Sequence, residues 1–336
     1  MRLSTVNKLT RGYALLGSKP PHAMRAEHVQ LKKGTRNAKA FQIIGNSCLH
    51  QVLENLPGVS RGDSEALHQT RVGLRRLRTI ITIFDDMVAD ERRDSIKREL
   101  KWAARSLSPA RDLDVLIGEI DTRHGKADTA SELTAWKKVL TRRREAVYRE
   151  TNQAIASRRF RTLLLDVAGW IDAGDWLTMP KKTMHKLRDR RVRRFAAEEL
   201  SRRRKKLLKI GKHLDKLSAV RRHELRIAGK KLRYAAEFFA NLFPGKSSAK
   251  RLNTMIESLK DLQDALGTLN DIESRKEFTR ELTRSAGNGS GRTDREVAVA
   301  SRRVLGSEQA AMASVLRAAE SAHSRLKKAK SLRHLS

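Results

Sequence analysis

The stretch His68–Phe84 reads HQTRVGLRRLRTIITIF, and it returns at His223–Phe239 as HELRIAGKKLRYAAEFF. The two align without a gap at an offset of 155 residues. His68 pairs with His223, Arg71 with Arg226, Arg75 with Lys230, Arg78 with Arg233 and Phe84 with Phe239. An α-helix turns by about 100° per residue, so positions i, i+3, i+7 and i+10 fall within an arc of about 80°. His68, Arg71, Arg75 and Arg78 therefore share one helix face, and His223, Arg226, Lys230 and Arg233 share the matching one. Leu74, Leu77, Ile81 and Phe84 take the opposite side, as do Leu225, Leu232, Ala236 and Phe239. Each stretch reads as a helix that packs one side into a core and presents a cationic rail on the other. Like charges at this spacing repel unless an anion sits among them. A merely solvated face needs charge but not register, and here the histidine and the cations keep register twice.

A second pair follows each rail. LKWAARSLSPARDLD (100–114) aligns with LKDLQDALGTLNDIE (259–273) at an offset of 159, pairing Leu107-Ser108 with Leu266-Gly267 and Asp112 with Asp271. The chain is thus a tandem duplication of a helical unit. Apolar residues recur at three- and four-residue spacing along nearly every long segment, and strand-like alternation is missing. This predicts an all-α protein of helical hairpins or bundles. Helices are expected near 29–56, 64–86, 90–106, 109–123, 128–157, 159–172, 181–217, 220–243, 247–266, 268–285 and 294–328. The expected breaks are Pro57-Gly58, Ser108-Pro109, Gly125, Gly174-Asp175, Pro180, Pro244-Gly245 and Ala286–Arg292 (AGNGSGR). Asp63-Ser64-Glu65 supplies a capping residue and a first-turn acid, and Pro109 suits a first helical position. The expected organisation is a basic, disordered tail over 1–34, a first repeat over 35–175, a second over 176–330 and a short basic tail over 331–336. Gly73 and Gly229 sit inside the rail helices, where alanine holds a helix better by about 1 kcal/mol. Either they loosen the helices or they allow close packing.

Seventy-two Lys and Arg stand against 38 Asp and Glu in 336 residues, a formal charge of +34. Such a surplus points to a polyanionic partner: nucleic acid, an anionic membrane surface or a phosphate polymer. Aromatic residues make up only 4%, which disfavours a single-strand nucleic-acid binder that stacks bases on exposed rings. The single cysteine, Cys48, excludes an intrachain disulfide and a cysteine-based zinc motif. It suits a reducing, cytoplasmic compartment. No apolar run approaches the length of a membrane span. Residues 1–26 are basic, hold no acid and lack a signal-peptide core.

Other chemistries fit less well. The rails repel a divalent cation, so neither a metal nor another cofactor is expected. No Ser-His-Asp layout, Walker A loop or HExxH is visible, so no catalytic residue is assigned. Asp112, Asp114, Asp271 and Glu273 keep a metal-dependent phosphoanhydride hydrolase as an alternative. Non-specific nucleic-acid binding through the basic surface is the other.

The doubled His-x-x-Arg start, the Lys/Arg-Lys/Arg-Leu-Arg continuation and the paired PARDLD and GTLNDIE segments resemble the CHAD family, the conserved-histidine α-helical domain, over about residues 35–330. The resemblance implies two four-helix bundles related by a pseudo-twofold around a basic central channel. It also implies binding of inorganic polyphosphate and association with polyphosphate granules. The triphosphate-tunnel (CYTH) domain that often precedes this family's domain is not seen in the sequence. Carried over by position, the ligand set is His68, Arg71, Arg75, Arg78, His223, Arg226, Lys230 and Arg233. Arg76 and Lys231 lie on the rail's flank as weaker members. Arg111 is an added contact whose counterpart, Asn270, makes the two sides unequal. Arginine forks match paired phosphate oxygens, and lysine adds point charge. A histidine beside phosphates has its charged form favoured, so binding is expected to strengthen as pH falls.

Overall fold

The structure, a computed structural model, describes residues 23–124, 130–286 and 312–329, and their side chains other than 119, 120, 122–124, 130–136, 271 and 273–286. The first 22 residues, the AGNGSGR loop beyond Ala286 and the C-terminal tail lie outside them, so the expectations placed there are not addressed. The order is α1 (Asn37–Ser60), α2 (Ser64–Ile83), α3 (Arg93–Ser106), α4 (Ser108–His124), α5 (Ala130–Ala156), α6 (Arg158–Ala173), α7 (Lys182–Asp189), α8 (Val192–Ile210), α9 (Ala219–Phe239) and α10 (Lys246–Ala286). Residues 312–328 form a further helix, α11. The described residues contain no strand, only an isolated bridge between Arg36 and Arg191. The chain forms two compact units, one of Met1–Arg123 with Val139–Val192, the other of His124–Lys138 with Arg193–Ser336.

In the first unit α1 and α2 form a tight hairpin. The helix runs through Pro57 to Ser60, later than the sequence predicts, because Gly58 lets the chain close. A Cβ there lies 2.5 Å from that of Ala66. Gly62 then reverses the chain at φ +82°, where glycine is favoured. Asp63 caps α2, accepting from the amides of Glu65 at 2.8 Å and Ala66 at 3.1 Å. Gly73 sets the approach of the two helices: a Cβ there stands 2.7 Å from Val52 Cγ2 and 3.2 Å from the Cys48 carbonyl. Of the two sequence-based alternatives for this glycine, close packing is therefore the right one. The core face of α2 is as expected, with Leu74, Leu77, Ile81 and Phe84 all buried. Phe41 meets Phe84, Trp170 and Trp176 edge to face, with centroids 5.8, 5.6 and 5.1 Å away. Each such buried ring contributes on the order of 2–3 kcal/mol. Asp90 clamps this cluster, accepting from Trp170 Nε1 at 2.7 Å and the Trp176 amide at 3.2 Å.

In the second unit Ser218 caps α9, accepting from the Arg221 amide at 3.4 Å. It lies 155 residues beyond Asp63, so the caps repeat with the rails. Leu225, Leu232, Ala236 and Phe239 are buried on the core face of α9. Arg204 of α8 donates to the carbonyls of Leu326 at 2.7 Å and Ala329 at 2.5 Å. It thereby satisfies orphan acceptors at the end of α11.

Other helix boundaries also differ from the sequence reading, and the helix expected from residue 29 begins only at Asn37. The expected helix over 181–217 divides at Arg190-Arg191, with neither proline nor glycine there. The Arg190 carbonyl accepts from the Asn37 amide at 2.9 Å, and the Val192 amide donates to the Thr35 carbonyl at 2.9 Å. Pairing with a segment more than 150 residues away replaces the helical bonds. Conversely, no break occurs at Gly267, and α10 runs unbroken from Lys246. In the first unit the matching position precedes Pro109, which has no N–H and starts a new helix. Gly267 is followed by Thr268, so the helix continues.

Candidate polyanion site

The rail of the first unit stands on α2 where α3 and α4 meet. Arg71 Nη1 donates to Ser108 Oγ at 2.6 Å and to the Ala104 carbonyl at 3.2 Å. These bonds fix its guanidinium at the α3–α4 junction. Burial, and then the charge of Arg75, push the Arg71 pKa down to about 10; Asp112 opposes this and Arg111 adds to it. It stays cationic at neutral pH. His68 is half-buried, and its pKa is held below the ordinary histidine value by burial first and by Arg111 next. Arg75 and Arg71 act in the same sense, while Glu65 opposes them. Arg78 is lowered by burial, then by Arg75 and Arg105. The structure thus brings His68, Arg71, Arg75, Arg78 and Arg111 into one mutually repelling cluster. It adds Arg105, which the sequence reading passed over. The repeat hid it: its aligned position holds Asp264, so register with the second copy gives no signal. Its spacing of four from Lys101 on one helix was the available clue.

Arg76 is placed elsewhere. It is 4% exposed, packed on the core side of α2 beside the Cys48 thiol. Burial raises the pKa of that thiol against the opposing charge of Arg76. A guanidinium so enclosed belongs to the α1–α2 interface rather than to the rail.

The second unit repeats the layout with different chemistry. Arg226 lies against Gly267, 3.9 Å from the position of a Cβ there, as Arg71 lies against Ser108. Its Nε is buried and finds no hydrogen-bond acceptor among the described residues. His223 is exposed, and its Nδ1 lies 3.3 Å from Asn270 Oδ1, the position that Arg111 holds in the first copy. Arg233 donates from Nε to Gln263 at 3.1 Å and from Nη1 to Glu237 at 2.9 Å. Lys230 and Lys231 are half-buried.

Among the described residues the acids do not assemble a metal centre. Among the described residues no group of three His, Cys, Asp or Glu side chains is placed to hold a metal ion. Asp114 accepts from Arg144 Nε at 2.7 Å and from the Tyr148 hydroxyl at 2.6 Å. Both carboxylate oxygens are therefore committed to joining α4 to α5. Arg144 also donates to the Gly62 carbonyl at 2.9 Å, which anchors the α1–α2 turn. The side chains of Asp271 and Glu273 lie outside the described residues.

An all-α chain with duplicated cationic helix faces is the class that fold and site define. A family profile described as the CHAD domain matches residues 44–280, most of the chain, and the chain belongs to the CHAD domain family. The crystal structure of the CHAD domain from the plant Ricinus communis is similar, with a TM-score of 0.75 and 26% identity. That match covers 93% of this chain and 99% of that one. PptA from Streptomyces chartreusis has a TM-score of 0.57 at 16% identity over 86% of this chain and 99% of its own, a likeness of fold. Comparison with curated proteins found no significant match. No helix among the described residues is long and apolar enough to cross a membrane.

Proposed function

We propose that this chain binds inorganic polyphosphate, without catalysis, along its His/Arg/Lys rails. The observation that carries the reading is the crowding of the first unit. His68, Arg71, Arg75, Arg78, Arg105 and Arg111 act on one another electrostatically, and Asp112 and Glu65 are the acids that oppose them. Such an arrangement costs stability until an anion enters it. A polymer of phosphates has a charge at every unit and no bases, so it needs guanidinium forks and ammonium charges but no stacking platforms.

The aromatic residues favour this polymer over nucleic acid. Trp170, Trp176, Tyr234 and the phenylalanines at 41, 84, 160, 238, 239 and 243 are buried, and Trp102 is covered by the Arg159 guanidinium at 4.1 Å. The exposed large apolar side chains among the described residues are Val115, Val139, Leu165, Val220 and Ile227, none of them aromatic. Base stacking, which supplies about 1–3 kcal/mol per base in single-strand binders, finds no fully exposed aromatic ring among the described residues. The finer proposal is that one polymer engages both rails in a common channel, and that the protein associates in this way with polyphosphate granules in the cytoplasm. Competition binding of long-chain polyphosphate against RNA and DNA at moderate salt tests the reading. Preference for polyphosphate is expected, and equal affinity for all three counts against it.

A further inference from the structure

We infer that the two rails are unequal, and that the first, with Arg105 added to it, holds a polyanion more tightly than the second. The inference rests on the binding reading above and says where the binding free energy resides.

Three aligned differences beside the rails favour an anion in the first unit, against one that opposes them, Glu65 beside His68 where the second copy has Val220. Arg111 stands where the second copy has Asn270. The amide is neutral and lies 3.3 Å from His223, whereas Arg111 acts on His68 as a charge. Arg105 stands where the second copy has Asp264. It follows Ala104, whose carbonyl takes the Arg71 bond at 3.2 Å. Gln263, the counterpart of Ala104, takes the Arg233 bond at 3.1 Å. Arg71 lies against Ser108 and its counterpart Arg226 against the aligned Gly267, so residues 105 and 264, three positions earlier in each copy, stand at equivalent places with opposite charge. Both side chains are exposed, so neither is needed for a core. Thr82 stands where the second copy has Glu237. Thr82 places no charge beside Arg78, whereas Glu237 accepts from Arg233 Nη1 at 2.9 Å.

A phosphate reaching Arg233 must displace or share the Glu237 carboxylate, and Asp264 directly follows Gln263, the other acceptor of Arg233. One reaching Arg78 meets Arg75 and Arg105, each of which repels Arg78 until it arrives. The same polymer segment thus gains full attraction on one rail and partial attraction on the other. Hydrogen bonds from charged groups contribute about 1.5–3 kcal/mol, so loss of one unmasked arginine is read as roughly a tenfold or greater loss of affinity.

The test uses the full chain and fluorescently labelled polyphosphate of defined length, with labelled RNA in parallel. Arg105→Ala is expected to weaken binding about tenfold, and Arg233→Ala by less than about threefold. Because Arg233→Ala also removes folded-state contacts, a second variant keeps that residue: Glu237→Thr with Asp264→Arg is expected to tighten binding severalfold. Thermal melts confirm that each variant is folded. Equal losses for Arg105→Ala and Arg233→Ala, or no effect of Arg105→Ala, overturn the inference, as does an unchanged affinity in the double variant. The ranking is read on whichever polymer the wild-type chain binds. Selective RNA binding with the expected ranking sinks the polyphosphate reading alone, and a chain that binds neither polymer sinks both.

Discussion

His68 is the rail residue whose protonated form the surrounding cluster disfavours. Burial and the charges of Arg111, Arg75 and Arg71 lower its folded-state pKa, with Glu65 opposing. The unfolded chain takes up this proton near pH 6.5, the folded chain only at lower pH. Its contribution to stability is therefore intact above about 6.5 and is lost as pH falls through that value toward the depressed one. Urea titrations from pH 8 to pH 5 should show the wild type losing more stability than His68→Gln; parallel curves would contradict the assignment. A bound phosphate reverses the electrostatics, so binding takes up a proton. Affinity for polyphosphate should rise as pH falls, and His68→Gln should flatten that dependence. Asp114 is the opposite kind of residue, with 2% of its side chain exposed and both oxygens engaged. Asp114→Asn should cost about 2–3 kcal/mol in chemical denaturation, since it leaves Arg144 without its charge partner. The rail residues were legible from the repeat, because register needs only sequence. The burial of Arg76 and the presence of Arg105 were not, because both depend on which helix lies opposite.

At the scale of the element, the two interior glycines separate. A Cβ at Gly73 would stand 2.7 Å from Val52 Cγ2 and 3.2 Å from the Cys48 carbonyl, whereas one at Gly229 meets nothing nearer than Gln263 Cγ at 3.7 Å. Gly73→Ala should destabilise the protein by about 1–3 kcal/mol through overpacking. Gly229→Ala should stabilise it by up to about 1 kcal/mol through helix propensity. Thermal melting of the two variants decides this, and a shift in the same direction for both would refute the distinction. The same contrast runs through the helix boundaries. Those set by local chemistry were readable: the Asp63 cap, the start at Ser108-Pro109 and the end of α9 before Pro244-Gly245. The break at Arg190-Arg191 was not, because its cause is the backbone of residues 35–37.

For the whole molecule, the charge of +34 gives any polyanion a salt-sensitive, sequence-blind attraction. The rails add placed charge to that field. Removing Arg75 or Arg111 should weaken polyphosphate binding strongly and lower the slope of log affinity against log salt by about 1 each. Charge removal on an exposed basic stretch such as Arg193-Arg194 should leave affinity nearly unchanged. Equal losses at both places would mean that net charge alone does the binding. The sequence by itself determined the helical class, the duplication and the two cationic faces, because helix period and repeat register are properties of a line of residues. Tertiary structure alone decided which cations share a cluster and which are neutralised. Arg105 meets Arg78 from another helix, and Gln263 reaches Arg233 from another helix. Coulomb interactions depend on distance in space, and a repeat that preserves position along the chain does not preserve the charges packed around it.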